Sequence, residues 1–266
     1  MNHNFVITGI EAGDTSAFCS CLTPGDLAED AGIKRKWLEG RNPDNFGAKI
    51  AKAEDGKPVG MIQYVPIGES AAMGDKLWFV YCIWIPPRKR NQGRQMRGKG
   101  IGKALLEAAE NDVRAKGAEG LAVWGTPLPF FMRSSWFRKQ GYEPCDKIGI
   151  QQLLWKRFTE QAKAPQWRRN PAPVPTQGSG NIKADIVVFS QGICPAMNMT
   201  RNRFERAAEV FAPDASFRII DVSNGDQIRE WGRTDAFYLN NKEFPAGPPP
   251  SYKKIEKAIK KEIKRR

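Results

Sequence analysis

Histidine is almost absent from these 266 residues, with His3 the single instance. Its scarcity argues against any triad that needs an imidazole and leaves general-base work to carboxylates, tyrosine or water. Cysteine is sparse too: Cys19, Cys21, Cys82, Cys145 and Cys194 make an odd set of five with no regular framework, which argues against a disulfide scaffold. Cys19 and Cys21 stand two apart, but no second Cys or His pair at finger spacing accompanies them, so no metal is expected. No apolar run approaches the roughly 18 residues that a membrane span requires, and the start MNHNFVITGI lacks a signal-peptide pattern. The expected location is the cytoplasm, with no membrane partner.

What is present is ordinary for a soluble globular chain: 41% hydrophobic and 27% charged residues, with length enough for one large domain or two modest ones. The net charge of +13 invites a nucleic-acid reading, and its location weakens that reading. Residues 88–103 hold seven cations and no acid, and residues 253–266 hold eight cations against Glu256 and Glu262. The remainder balances at 27 Lys and Arg against 27 Asp and Glu. A duplex-binding protein more often spreads its cations over a face. Here a focused anion site and a basic tail sit on a neutral body, and nucleic acid is not the expected partner.

Residues 161–181, QAKAPQWRRNPAPVPTQGSGN, carry four prolines, no apolar periodicity and a Gly-Ser-Gly end, which reads as a linker. The expected division is a first domain over 1–160, the linker over 161–181 and a second domain over 182–266. In the first domain, residues 47–52 and 59–66 flank Asp55-Gly56 as a hairpin. The run LWFVYCIWI at 77–85 is a strand covered on both faces. A helix follows from Ile101, with Leu105, Ala108, Ala109 and Val113 on one face and Gly117 as its stop. Residues 121–124 form a short buried strand, 130–140 a helix ending at Gly141, and 142–145 and 151–158 two more strands. The fold class is α/β with a mixed sheet.

The turn Arg97-Gly98-Lys99-Gly100-Ile101-Gly102 leads from a strand into that helix. The first N–H groups of a helix lack partners within it, its dipole adds positive character there, and glycines let several amides approach one ligand. Arg97, Lys99 and Lys103 add full charges, so the physical reading is a phosphate cradle. A Walker loop would need Ser or Thr after Gly102-Lys103, where Ala104 stands. A dinucleotide fingerprint needs a different glycine spacing.

The pattern that fits is Arg/Gln-x-x-Gly-x-Gly/Ala, carried by Arg97, Gly100 and Gly102. On these residues, and on Trp136-Phe137-Arg138-Lys139-Gln140-Gly141-Tyr142-Glu143 later on, the chain resembles the GNAT family of N-acetyltransferases over roughly residues 5–158. The resemblance implies acetyl-CoA as co-substrate, its pyrophosphate on Arg97, Gly98, Lys99, Gly100, Gly102 and Lys103 and its pantetheine arm beside Ile83, Trp84 and Ile85. It says little about the acceptor, for which the expectation is an amine of a small molecule or of an amino-bearing metabolite. One departure is an extra basic loop over 88–96, with Arg88, Lys89, Arg90 and Arg94, for which the adenosine 3′-phosphate or an acidic substrate is the expected anion. A backbone N–H at Ile83 or Ile85 would polarise the thioester carbonyl. The position where many relatives carry a tyrosine acid holds Phe137, so Tyr142, Ser134, Ser135 or water are the stand-ins, and Tyr81 and Tyr64 are candidate bases. The candidate catalytic set is Tyr81, Tyr142 and Ser135.

In the second domain a strand at 182–189 leads through Ser190-Gln191-Gly192-Ile193-Cys194-Pro195 into a helix over 197–211. A strand at 217–222, a hairpin on Asn240-Asn241 and a final helix capped by Ser251 follow. This order resembles a thioredoxin-like fold, with Cys194 at a helix N-terminus that would lower a thiol pKa. A redox pair would need Cys where Met197 stands, and the proline expected before the hairpin is replaced by Thr234-Asp235. The combination resembles the YoaP-like acetyltransferases. The expected activity is transfer of acetyl from acetyl-CoA to an amine, and the alternative is a non-catalytic CoA-binding or nucleic-acid-associated module.

Overall fold

The computed structural model describes residues 5–22, 31–87, 96–129, 131–176 and 182–265. His3 and the cations of the basic loop, Arg88, Lys89, Arg90 and Arg94, lie outside the described residues. The chain forms two units: the first takes residues up to Gly25 and Gly40–Arg169, the second Asp26–Glu39 and Asn170–Arg266.

The first unit opens with β1 (Phe5–Thr8) and the short helix α1 (Thr15–Cys19), while helix α2 (Ala31–Glu39) belongs to the second unit. It continues through β2 (Gly47–Ala53), β3 (Pro58–Pro66), β4 (Ala72–Met73) and β5 (Leu77–Trp84). Then come helix α3 (Ile101–Ala115), β6 (Gly120–Gly125), helix α4 (Ser134–Lys139), β7 (Glu143–Ile148) and β8 (Gln151–Arg157). Seven strands make one mixed sheet in the order β1-β2-β3-β5-β6-β8-β7, in which only β5 and β6 run parallel. The expected apolar stripe of α3 is the buried one: Ile101, Leu105, Ala109 and Val113 pack with Ile62, Val80 and Val123. Burying such side chains contributes on the order of 2 kcal/mol each. Within the stretch read as a linker, β9 (Gln166–Trp167) pairs with β4.

The helix expected over 130–140 is shorter, Ser134–Lys139. Phe130 lies outside the described residues. The reason for the shortening lies just before the helix. Met132 takes φ 44 and Arg133 is extended, because Thr126 N–H donates to the Met132 carbonyl at 2.8 Å and Ser134 N–H returns to the Thr126 carbonyl at 2.9 Å. These bonds hold residues 131–133 as a folded-back loop and not as a first helical turn.

In the second unit β10 (Ala184–Ser190) pairs parallel with β11 (Ala215–Asp221) and antiparallel with β12 (Ala236–Leu239), which turns back as β13 (Lys242–Glu243). The hairpin turns on Asn240 and Asn241, with φ 50 and 62, the left-handed pair that a two-residue turn demands. Helices α5 (Pro195–Val210), α6 (Gly225–Trp231) and α7 (Tyr252–Arg265) complete it. Helix α6 did not stand out in the sequence because Gly225 opens it. Its signal was Asn224, whose side chain accepts from the N–H groups of Asp226 and Gln227.

Candidate functional site

Strand β5 is where the sheet of the first unit opens. Its pairing with β3 runs Gln63↔Cys82 and then Tyr64↔Val80, so Tyr81 is an extra residue bulged from the ladder. A bulge bends and twists its strand. On the other side, pairing with β6 stops at Val80↔Val123. Past that point no strand lies beside Tyr81–Trp84 on the β6 side among the described residues. The result is a wedge with its apex at Tyr81 and its mouth at Ile85.

The glycine-rich turn stands at the mouth. Gly98 and Gly100 hold φ 84 and 82, and Gly100 caps α3 from the left-handed region that other residues avoid. No acidic residue occupies the first turn of α3, so nothing there competes with a bound anion. Gly102 serves closeness: a Cβ there would lie 3.2 Å from the Trp136 ring and 3.5 Å from Ile85 Cδ1. Arg97 does more than supply charge. Its Nε donates to the Ile85 carbonyl at 3.0 Å and its guanidinium lies 5.3 Å from the Trp84 ring centre, which fixes the turn to the end of β5. Lys103 leans toward Glu107 at 3.6 Å, and Lys99 is exposed. Beside the same helix, Lys103, Glu107, Glu110, Lys139, Gln140 and Lys156 line a polar hollow of about 230 Å³.

Ile83, Trp84 and Ile85 are all partly buried along the wedge. The indole N–H of Trp84 is buried and has no hydrogen-bond partner.

The proton-handling candidates are not brought together. Tyr81 sits at the bulge, its hydroxyl donating to the Glu69 carbonyl at 3.0 Å. Ser135 is exposed in the first turn of α4, and the neighbouring Ser134 is buried against Gly125 at the end of β6. Tyr142 is only 2% exposed and donates to Glu110 Oε1 at 3.1 Å, while Lys156 Nζ holds the other oxygen at 2.8 Å. Burial, and then the Glu110 carboxylate, push the Tyr142 phenol well above the ordinary tyrosine range. Tyr64 donates to Asp112 Oδ2 at 2.9 Å and is likewise pushed up, first by burial and then by Asp112. Phe137 is fully buried between Trp136 and Tyr142. Sequence reasoning missed Glu110 as the partner of Tyr142 and Trp124 at the apex. Glu110 carries no motif in the sequence, and Trp124 stands only as the end of the short buried strand expected over 121–124.

In the second unit, Cys194 is the half-buried N-cap of α5, with Pro195 at the first helical position. Asp235 accepts from the Gln191 N–H at 2.8 Å, and its burial raises the carboxyl to about 6.

Residues 16–142 match the Acetyltransferase (GNAT) family. The match covers the wedge, the glycine-rich turn and α4, and the mixed sheet around them is GNAT-like. Among solved structures, the chain is similar to the PaiA N-acetyltransferase from Thermoplasma acidophilum in complex with coenzyme A, at 16% identity and TM-score 0.41, covering 58% of this chain and 99% of that one. It is similar to the GNAT family N-acetyltransferase YhbS from Escherichia coli in complex with CoA, at 10% identity and TM-score 0.44, covering 63% and 91%. A GNAT family acetyltransferase from Brucella melitensis in complex with acetyl-CoA matches at 15% identity and TM-score 0.39, covering 62% and 94%. No curated protein matches the sequence. Among the described residues, no group of three or more His, Cys, Asp or Glu could hold a metal ion, and no helix is long and apolar enough to cross a membrane.

Proposed function

We propose that the first unit transfers acetyl from acetyl-CoA to an amine of a small molecule. The observation that carries this reading is the tie between Arg97 and Ile85, which sets an acid-free, glycine-rich helix start at the mouth of a wedge in the sheet. Amides of residues 97–103 would take the pyrophosphate, with Lys99 and Lys103 adding charge. The arm would lie along the partly buried Ile83, Trp84 and Ile85, on the edge of β5 that β6 leaves unpaired. In the reaction the amine nitrogen bonds to the acetyl carbon, the carbon–sulfur bond breaks, the amine loses a proton and the thiolate gains one. Positioning supplies much of the rate, and a backbone N–H at Ile83 or Ile85 would polarise the carbonyl. Tyr81 at the apex and Ser135 at the start of α4 remain the residues proposed to handle protons, with water between them and the reacting atoms. Tyr142, held by Glu110, would act by fixing α3 against β8.

A second reading, a CoA-binding module without turnover, is favoured by Phe137, which offers no hydroxyl and is fully buried. The nucleic-acid alternative is weakened by α7: Ile255 and Ile259 are fully buried, so its lysines form the solvated side of a packed helix. For the second unit, the strand order β11-β10-β12-β13 with helices between supports a thioredoxin-like, YoaP-like domain following the acetyltransferase domain. A cytoplasmic location completes the reading.

The test is acetyl-CoA-dependent thiol release against a panel of amines, alongside calorimetric binding of CoA. Release with at least one amine supports the enzyme. Tight CoA binding without release supports the module, and absence of binding removes both.

A further inference from the structure

Where the backbone pairing of β5 and β6 stops, the next two residues meet in another way. Trp124 turns its side chain into the wedge, and its Nε1–H donates to the Tyr81 carbonyl at 2.8 Å. An indole thus replaces the next rung of the ladder and fills the apex. Phe131 closes the space from the loop before α4. Its ring centre lies 5.7 Å from that of Trp124 and 5.7 Å from that of Trp84, at 63° and 65°. Edge-to-face contacts of this kind are favourable and directional. The loop is set by its own bonds: Thr126 N–H to the Met132 carbonyl, Ser134 N–H to the Thr126 carbonyl, and the Thr126 hydroxyl to the Phe131 carbonyl at 3.4 Å. Met132 accepts a left-handed φ of 44 to keep this path. The position of Phe131 is therefore specified by its surroundings.

We propose that Trp124 and Phe131 set the upper length of the acyl group that the wedge accepts. The proposal rests on the acyl-CoA reading above and names the specificity of that same site. A ligand with its phosphates at the start of α3 and its arm on the open edge of β5 runs from Ile85 toward Tyr81. Its acyl group is the leading end, so the acyl chain is what meets the apex. Acetyl places one methyl beyond the carbonyl carbon. Each further methylene must displace an indole that is hydrogen-bonded to the Tyr81 carbonyl and packed by the Phe131 ring, which is itself held against Trp84. In close-packed pockets one methylene changes selection by about 10–200-fold.

The test is binding and turnover of acetyl-, propionyl- and butyryl-CoA by the full chain and by the variants Trp124→Ala, Trp124→Phe and Phe131→Leu. In the unchanged chain, butyryl-CoA is expected to bind at least about tenfold more weakly than acetyl-CoA by calorimetry without acceptor. In Trp124→Ala the ratio of the two dissociation constants is expected to fall by about tenfold or more, and in Phe131→Leu by a smaller factor. Trp124→Phe keeps a ring without the N–H and is expected to fall between. Should Trp124→Ala fail to fold, the other two variants decide. A chain that binds butyryl-CoA as well as acetyl-CoA overturns the proposal, as do folded variants that bind CoA and keep the original ratio. Failure of the underlying reading is distinct: neither CoA nor any acyl-CoA binds the unchanged chain, and this proposal falls with it.

Discussion

Arg97 Nε donates to the carbonyl of Ile85 across 3.0 Å, bridging twelve residues to join the glycine-rich turn to the end of β5. With its guanidinium over the Trp84 ring, this one side chain fixes the distance between the proposed phosphate cradle and the proposed thioester edge. Arg97→Ala loses a hydrogen bond and a cation–π contact, together about 1–2 kcal/mol, or roughly tenfold in affinity. The KM for acetyl-CoA and the dissociation constant of CoA should rise together by about that factor, with kcat little changed. Arg97→Lys should restore only part, since an ammonium cannot both donate there and stack. An unaltered CoA affinity in Arg97→Ala would sink the bridging role.

Tyr142 offers a sharper test of which tyrosine touches chemistry. Its hydroxyl is buried on Glu110, and removal leaves the carboxylate with Lys156 alone. Tyr142→Phe should cost about 1.5–3 kcal/mol of stability, as expected for a hydrogen bond to a charged group. Steady-state constants of the folded variant should stay within about twofold. A large drop in kcat with unchanged stability would instead place Tyr142 on the proton path.

Gly47 shows how tightly β2 and β3 pack beside that core. A Cβ at this position would stand 2.0 Å from Cε2 of Tyr64, whose hydroxyl is tied to Asp112 and cannot swing away. Gly47→Ala should therefore destabilise by about 1–3 kcal/mol, lowering the melting midpoint of the first unit by several degrees. CoA affinity should be retained in the folded fraction. A variant that melts at the original temperature would mean the ring relaxes freely.

Much of the scaffold could be read from patterns of side chains. The apolar stripe of α3, the Asp55-Gly56 and Asn240-Asn241 turns and the glycine-rich start at Arg97 are local signals with local causes, and the elements stand where those signals put them. What escaped reading depends on contacts that no helical or strand period announces. The shortened α4 follows from Thr126 bonding across a loop, and the Tyr142–Glu110–Lys156 cluster joins α3, β8 and the turn before β7, which no periodicity connects. The apex tryptophan was hidden for a different reason: Trp124 in GLAVWG reads as core, and only the bulge at Tyr81 turns it into the wedge.

Asp235 gives the second unit a pH signature whose sign can be worked out. Burial raises its carboxyl from the ordinary 3.8 to about 6 in the folded chain, while the unfolded chain keeps the ordinary value. Between those values the folded chain holds more protons, so rising pH favours unfolding. The destabilisation is absent below the lower value and complete above the higher one. Asp235→Asn keeps an amide oxygen for the Gln191 N–H, bonded at 2.8 Å in the parent, and removes the titration. The variant should melt a few degrees higher than the parent at about pH 7.5 and at nearly the same temperature at about pH 3.5, with the gap opening across the interval between. Melting curves of both chains across that range decide the matter: a gap that stays constant with pH would mean Asp235 does not titrate in the folded state.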